Sequence, residues 1–171
     1  MTSIQPLMRI PVGVVIERRE TGGVWGQVVW RPIAVLPGVP NAEPWTTLAV
    51  DAKRTEFYGG TAEIELHRSG AGGYRENLAT GAALLWVVVR PTGDEHRARE
   101  IVAVTADPGE GEAFLESAPG LVETVPMPEP VRAAIAEFVA RHYVDQKFVK
   151  RERDRADPEI LSRRAALKNG K

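Results

Sequence analysis

The chain has 171 residues, which suits one domain whose core buries about two thirds of the unfolded surface. Hydrophobic residues make up 43% of it and charged residues 26%, a globular composition that indicates neither disorder nor a membrane-embedded chain. The sequence contains no cysteine, which excludes disulfides, Cys-ligated zinc or iron–sulfur centres and thiol nucleophiles.

The N-terminal sequence lacks the features of an export signal. No basic segment is followed by a continuous apolar run, and the Arg18–Arg19 pair is not followed by one either. No stretch approaches the roughly 20 apolar residues of a membrane span. We therefore expect a cytoplasmic protein that makes no membrane contact.

Charge is distributed unevenly along the chain. Residues 141–171 contain ten Lys/Arg and five Asp/Glu, a net charge of +5, which leaves −6 for residues 1–140. Such asymmetry can indicate a nucleic-acid or acidic partner, but the mixed signs in the tail make a solvated helix the explanation that we prefer. The acidic body, and a tail without interleaved aromatics, disfavour a nucleic-acid role. We predict a domain over residues 1–144 and a charged, helical or partly flexible tail over residues 145–171.

Alternation of apolar and polar residues predicts an antiparallel sheet of about five strands. The predicted strands cover residues 12–16, 28–36, 58–67, 82–90 and 100–106. The first two predict a hairpin, in which Pro32 indicates an edge position, a bulge or a strand end because proline lacks a ladder donor. Residues 58–67 predict a strand with one solvated face. Residues 82–90 are apolar on both faces and predict a central strand.

Two helices are predicted after the strands. The sequence Asp107–Pro108–Gly109–Glu110 is typical of a capped helix start, and this helix is expected to end near Ser117. Val131, Ile135, Phe138 and His142 then form one stripe at helical spacing. The sequence therefore predicts an α+β fold in which a curled antiparallel sheet of about five strands is packed by two helices, with a charged C-terminal segment.

Few motifs in the sequence carry chemistry. His67, His96 and His142 lack a second ligand at metal spacing, so no metal site is predicted. Residues Gly70–Gly73 and Gly109–Gly111 lack the Lys-Ser/Thr of a phosphate-binding loop and predict plain turns. No serine has the glycine flanks of a nucleophile elbow, and no cofactor is predicted.

Two carboxylate pairs have structural explanations that we prefer to catalysis. Glu63 and Glu65 fit the solvated face of a strand, and Asp107 and Glu110 fit a helix cap. Paired carboxylates can act as general acid and base only where their surroundings separate their pKa values. No catalytic residue is therefore predicted.

A set of aromatic, arginine and asparagine side chains is the remaining candidate site. Planar rings for stacking and guanidinium groups for bidentate hydrogen bonds suit an anionic or heterocyclic ligand. The predicted ligand-binding residues are Trp30, Arg31, Arg75, Asn77 and Arg90, with Tyr74 and Trp86 in the same set. The alternative is that the tryptophans lie in the core and the arginines line the rim of the sheet.

Several ordered sequence blocks carry a family resemblance. The blocks are Pro11–Arg19, Trp30–Leu36, Leu84–Arg90, Val104–Pro108, Val125–Pro128 and Phe148–Arg151. Over roughly residues 9–155 the chain resembles an uncharacterised bacterial family that is typically encoded beside genes for molybdenum-dependent formate dehydrogenases and their maturation factors. This resemblance implies a role near that enzyme and implies no catalytic residue.

Two classes of function follow from the sequence. The first is a non-catalytic accessory protein for assembly, cofactor loading or regulation of a molybdenum-dependent formate dehydrogenase, which contacts the enzyme or its maturation factors through a sheet face or edge and the tail. The expected tail contacts are Lys147, Lys150, Arg151, Arg153 and Arg155. The alternative is a pterin- or nucleotide-binding protein or enzyme of molybdenum-cofactor metabolism. Edge strands also leave room for homodimerisation.

Overall fold

The computed structural model describes residues 5–22, 26–117 and 120–144. Within these ranges the chain forms seven strands and three α-helices. The strands are β1 (Met8–Glu20), β2 (Val28–Pro37), β3 (Thr47–Asp51), β4 (Arg54–Leu66), β5 (Leu84–Pro91), β6 (Arg99–Thr105) and β7 (Leu121–Pro126). The helices are α1 (Ala71–Ala79), α2 (Pro108–Ser117) and α3 (Glu129–His142), and a short 3₁₀ turn at Arg68–Gly70 precedes α1.

The strands form two antiparallel sheets. The first has the order β2-β1-β4-β3 and the second the order β6-β5-β7. Strand β2 lies beside β7, and β4 lies beside β6, so the two sheets pack around one core. This confirms the predicted α+β class, the β1–β2 hairpin and the central position of β5. The structure divides the strands between two sheets and adds β3, β7 and α1 to the predicted elements.

Two bulges at the same height bend the first sheet. Strand β4 has an extra residue, Gly59, opposite Val14 and Val15, and β2 has an extra residue, Ile33, one position further along β1. Bulges bend a strand and increase its twist, so the first sheet is distorted at this height. Pro32 lies at the second bulge, in the edge strand β2, as its missing donor predicts.

The core lies between the two sheets and beneath α1 and α3. The inward-facing strand residues are Val12, Val14, Ile16, Val35, Ile64, Leu66, Leu85, Val87, Val89, Val104 and Val125. The predicted stripe of α3 is confirmed, because Val131, Ile135 and Phe138 are buried against this cluster. Tyr74 of α1 meets Phe138 edge to face, with ring centroids 6.0 Å apart. These contacts fix α1 and α3 on the same end of the core.

Burial of Tyr74 makes its ionisation unfavourable in the folded protein. Its ring is 1% exposed, and its hydroxyl accepts a hydrogen bond from the His67 amide (3.1 Å) and donates one to the Glu65 carbonyl (3.5 Å). Burial raises the pKa of Tyr74, and the nearby charges of Glu110 and Asp107 add to this, although the His67 hydrogen bond opposes it. The folded state therefore keeps the phenol proton at a pH where the unfolded state releases it.

We expect the free energy of unfolding to fall as the pH rises above about 10, the usual tyrosine pKa, and Tyr74→Phe to reduce that fall. The stabilisation by the buried Tyr74 phenol is complete below this pH and is lost above it, because deprotonation of the phenol then lowers the free energy of the unfolded chain only. Urea denaturation of both proteins at pH 9 and pH 10.5 measures the difference. An equal loss in the two proteins would contradict this role for Tyr74.

Candidate functional site

Trp30 of β2 lies in an aromatic cluster at one end of the core. Its ring stacks on Phe57 of β4, with centroids 5.7 Å apart, and meets Trp45 edge to face at 5.9 Å. The Trp30 side chain is half-buried and packs against the core residues. The cluster therefore holds this indole ring in one orientation.

Arg31, the next residue along β2, belongs to an ion-pair network. Its Nε lies 3.1 Å from Oε1 of Glu17, whose side chain is only 3% exposed. The second carboxylate oxygen of Glu17 lies 3.8 Å from Nε of Arg54 in β4. A buried carboxylate needs such partners, because desolvation of an unpaired charge costs several kcal/mol, about the scale of a whole domain's stability. Arg31 thus neutralises Glu17.

Arg75 and Arg90 have different partners in other parts of the fold. The Arg75 guanidinium lies 4.6 Å from the ring centroid of Tyr143 and donates a 2.9 Å hydrogen bond to its hydroxyl. Arg90 pairs with Glu100 across the β5–β6 hairpin, with nitrogen–oxygen distances of 2.7 and 2.8 Å. The first contact joins α1 to the end of α3, and the second lies on an exposed sheet surface.

Asn77 of α1 is buried and makes three hydrogen bonds to the main chain. Its amide nitrogen donates to the carbonyls of Leu84 (2.8 Å) and Ala106 (2.9 Å), and its Oδ1 accepts from the Leu84 amide (3.0 Å). These bonds use both amide protons and the carbonyl oxygen. Asn77 therefore joins α1 to the start of β5 and the end of β6.

The structure does not place the predicted ligand-binding residues in one contact group. Trp30, Arg31, Arg75 and Arg90 each contact a different set of neighbours, and Asn77 is committed to the main chain. Of the cavities described below, one includes Trp30 in its lining. Trp86, from the same set, contacts Gly111 of α2.

A cavity of about 560 Å³ separates one end of the first sheet from the β5–β6 loop, and we call it the inter-sheet cavity. The first sheet contributes Arg18, Val28 and Trp30. The loop side is formed by Pro91, Gly93, Asp94, Glu95, His96, Ala98 and Arg99. Arg18 and Trp30 are cross-strand partners in the β1–β2 register, which places both side chains on the same face of the sheet.

A second cavity, of about 620 Å³, lies at the start of α1 and the end of α3. Its lining residues are Arg68, Ser69, Ala71, Gly72, His142, Tyr143 and Val144.

The plain turn predicted for Gly70–Gly73 was wrong, since these residues lead into α1. A Cβ at Gly73 would lie 2.6 Å from Oδ1 of Asp107, so glycine allows this carboxylate to approach the positive end of the helix.

The Asp107 cap of α2 is confirmed, and it is more extended than predicted. Oδ1 of Asp107 accepts a 2.9 Å hydrogen bond from the Gly109 amide. The Glu110 carboxylate accepts a hydrogen bond from the Thr105 hydroxyl (2.7 Å), and that hydroxyl accepts one from the Asp107 amide (3.1 Å). Glu110 is therefore connected to the Asp107 amide through Thr105 and does not bind it directly. The plain turn predicted for Gly109–Gly111 was wrong, because the capped helix already includes these residues.

Strand β3 is the most exposed element of the sheets. All five of its residues are exposed, Leu48 by 47% and Val50 by 74%. In the part of the chain that the structure describes, β3 pairs with β4 on one side and its other edge has no strand partner. The short run Thr47–Val50 before a tight turn carried a strand signal that the sequence analysis missed.

The other chemical predictions fall on surface positions. Glu63 and Glu65 are exposed and contact Arg9 at 3.6 and 3.2 Å, which confirms the solvated face of β4.

Among residues 5–22, 26–117 and 120–144, no three His, Asp or Glu side chains are grouped to hold a metal ion. No helix in these ranges is long and apolar enough to cross a membrane. The predicted tail contacts at residues 147–155 lie outside the described residues.

In the described residues, two antiparallel sheets around one core, with three helices and a free edge strand, define an α+β domain. Over residues 11–152 the chain matches the model of a family described as "Protein of unknown function (DUF3305)", and it belongs to that family. This confirms the resemblance to an uncharacterised family. The match includes Lys147, Lys150 and Arg151 and ends before Arg153. No curated protein and no solved structure matches the chain.

Proposed function

We propose that this protein is a non-catalytic accessory protein that binds a protein partner along the free edge of β3. The observation that carries the proposal is a strand edge without a partner among the described residues, combined with the exposed apolar side chains of Leu48 and Val50. We further propose that the partner is a molybdenum-dependent formate dehydrogenase or one of its maturation factors, in the cytoplasm. The family resemblance supports this choice of partner.

The chemistry of an edge strand suits recognition of an extended segment. Unpaired N–H and C=O groups can form a new antiparallel ladder, and exposed side chains on both faces then select the added strand. Proteins usually protect such edges with lysine, proline or a covering element. Residues 47–51 contain neither lysine nor proline. An added strand would also remove Leu48 and Val50 from water, which stabilises the complex by up to about 1.5–3 kcal/mol for each side chain that is fully buried.

The basic tail supplies the second surface of the proposal. Lys147, Lys150, Arg151, Arg153 and Arg155 carry positive charge beside an acidic body. Such charges steer a partner with an acidic surface and raise its association rate, an effect that weakens with salt. The edge strand is therefore assigned the specific contact, and the tail the electrostatic one.

Replacing Val50 by lysine is expected to weaken binding of purified formate dehydrogenase by about tenfold or more, since a charge at this position opposes burial under an added strand. Full-length protein is titrated against the enzyme by biolayer interferometry. Val102→Lys is the matched control, because Val102 is an exposed valine (43%) on the edge strand β6 of the other sheet. Equal weakening by both variants would contradict a specific role for β3.

Deleting residues 145–171 tests the tail in the same titration. We expect slower association and a smaller dependence of the rate on salt, because several positive charges are removed. Unchanged association would show that the tail residues are not partner contacts. If the full-length protein binds neither formate dehydrogenase nor its maturation factors, the proposed partner is wrong.

A further inference from the structure

We propose that the inter-sheet cavity is a binding site for a planar aromatic anion of mononucleotide size. This inference does not depend on the partner proposed for β3. It takes up the predicted ligand role of Trp30, but it replaces the predicted arginines with two others, Arg18 and Arg99. The cavity volume of about 560 Å³ lies within the usual range for small-ligand sites.

The aromatic wall of the cavity is rigid. Trp30 is held by the stacked ring of Phe57 and the perpendicular ring of Trp45, at 5.7 and 5.9 Å. An indole whose orientation is already set loses little entropy when a second ring packs against it, and stacked aromatic rings attract each other beyond the effect of the area they bury. Trp30 therefore favours a flat ligand.

The opposite wall is a loop whose shape is held by internal hydrogen bonds. The Thr92 hydroxyl donates to the Arg97 carbonyl (2.5 Å) and accepts from the Asp94 amide (3.1 Å). Oδ1 of Asp94 accepts from the amides of His96 (2.8 Å) and Arg97 (3.3 Å). These hydrogen bonds lower the pKa of Asp94, that of the His96 amide most. The loop shape is thus present before a ligand arrives.

Each wall of the cavity carries one arginine that can pair with an anionic ligand. Arg99 is half-buried and donates to the Ala98 carbonyl at 2.8 Å, and among the described residues it forms no ion pair. Arg18, on the sheet side, forms an ion pair with Glu20 at 2.9 Å. The carboxylates of Asp94 and Glu95 both oppose an anion, because the backbone amides that bind Asp94 do not remove its charge. Arg99 is the residue best placed to pair with a phosphate or carboxylate.

Binding is tested by isothermal titration of the full-length protein with guanosine monophosphate and with pterin-6-carboxylate. Both probes are planar aromatic anions, and their relative affinities distinguish a nucleotide ligand from a pterin. Guanosine, which lacks the phosphate, measures how much the anionic group contributes to binding. We expect saturable binding of at least one anion, with guanosine about fivefold or more weaker than its monophosphate if the nucleotide binds, because the charge-assisted contact is lost.

Three charge variants locate the site. Arg99→Gln should weaken anion binding about fivefold to twentyfold, and Glu95→Gln should strengthen it about twofold to fivefold, since each changes one charge at the cavity. Arg97→Gln is the matched control, because Arg97 lies in the same loop but outside the cavity lining. Thermal denaturation of each variant establishes that it is folded. Failure of both anions to bind, or equal effects of Arg99→Gln and Arg97→Gln, would overturn the proposal.

Discussion

Replacing Asn77 by alanine is expected to lower the free energy of unfolding by about 2–4 kcal/mol, because two or three buried backbone groups lose their partners. The Asn77 side chain is 4% exposed and is hydrogen-bonded to the main chain at Leu84 and Ala106. Urea denaturation followed by circular dichroism measures the change.

Asn41→Ala is the control for the Asn77 variant. Asn41 is exposed in the loop between β2 and β3, and substitutions at such surface positions usually change the free energy of unfolding by less than about 0.5 kcal/mol. A loss for Asn77→Ala no larger than that for Asn41→Ala would contradict the structural role. The expected loss would explain why an asparagine is needed here without any ligand.

Replacing Gly111 by alanine is expected to lower the free energy of unfolding by about 1–3 kcal/mol, the usual cost of forcing extra atoms into a packed interior. A Cβ at this position would lie 2.5 Å from both Cδ1 and Cδ2 of Trp86. The clash is with a ring whose strand, β5, is paired on both sides. Either the ring or α2 must therefore move.

Gly109→Ala, in the same helix, is the matched control with the opposite sign. Its Cβ would meet Oδ1 of Asp107 at 3.4 Å, an ordinary contact, and alanine is favoured over glycine in a helix by up to about 1 kcal/mol. We expect Gly109→Ala to be neutral or to raise the free energy of unfolding. Similar values for the two variants in urea denaturation would show that helix propensity, and not the contact with Trp86, determines the effect.

Much of the fold could be predicted because local patterns agreed with the tertiary structure. The alternation in β1 and β4 and the stripe of α3 correspond to burial in one core. Strand β5 is apolar on both faces because one face enters that core, and the other carries the buried Val88 and Trp86, which lies against α2. The bulge at Pro32 followed from proline chemistry. These signals are local to each element and do not require knowledge of its neighbours.

Helix α1 and the division into two sheets depend on contacts that the sequence pattern does not contain, whereas β3 carried a short strand signal that was missed. Helix α1 begins in a glycine-rich run that reads as a turn, and it forms where Gly70 and Gly73 allow close approach of Tyr74 and Asp107. Strand β3 is fully exposed and therefore shows no buried face. The division into two sheets follows from which strands pair, which is a long-range property.

The candidate site could also be predicted only in part, because it depends on long-range contacts. Arg31 lies opposite Glu17, and Arg90 opposite Glu100, because of cross-strand registers, each of which is shifted by a bulge. The sequence analysis identified residue types suited to a ligand but could not predict which of them would find protein partners. It also omitted Arg18 and Arg99, which reach the inter-sheet cavity only through the packing of the two sheets.

Amide hydrogen exchange of β3 tests the central proposal most directly. Full-length protein is labelled with and without purified molybdenum-dependent formate dehydrogenase under conditions in which the complex forms. An added strand should slow exchange of the free-edge amides within residues 47–51 by about tenfold or more, and should leave residues 99–105 of β6 unchanged. A complex that forms while β3 exchanges at its original rate would contradict the proposal that partners bind along this edge.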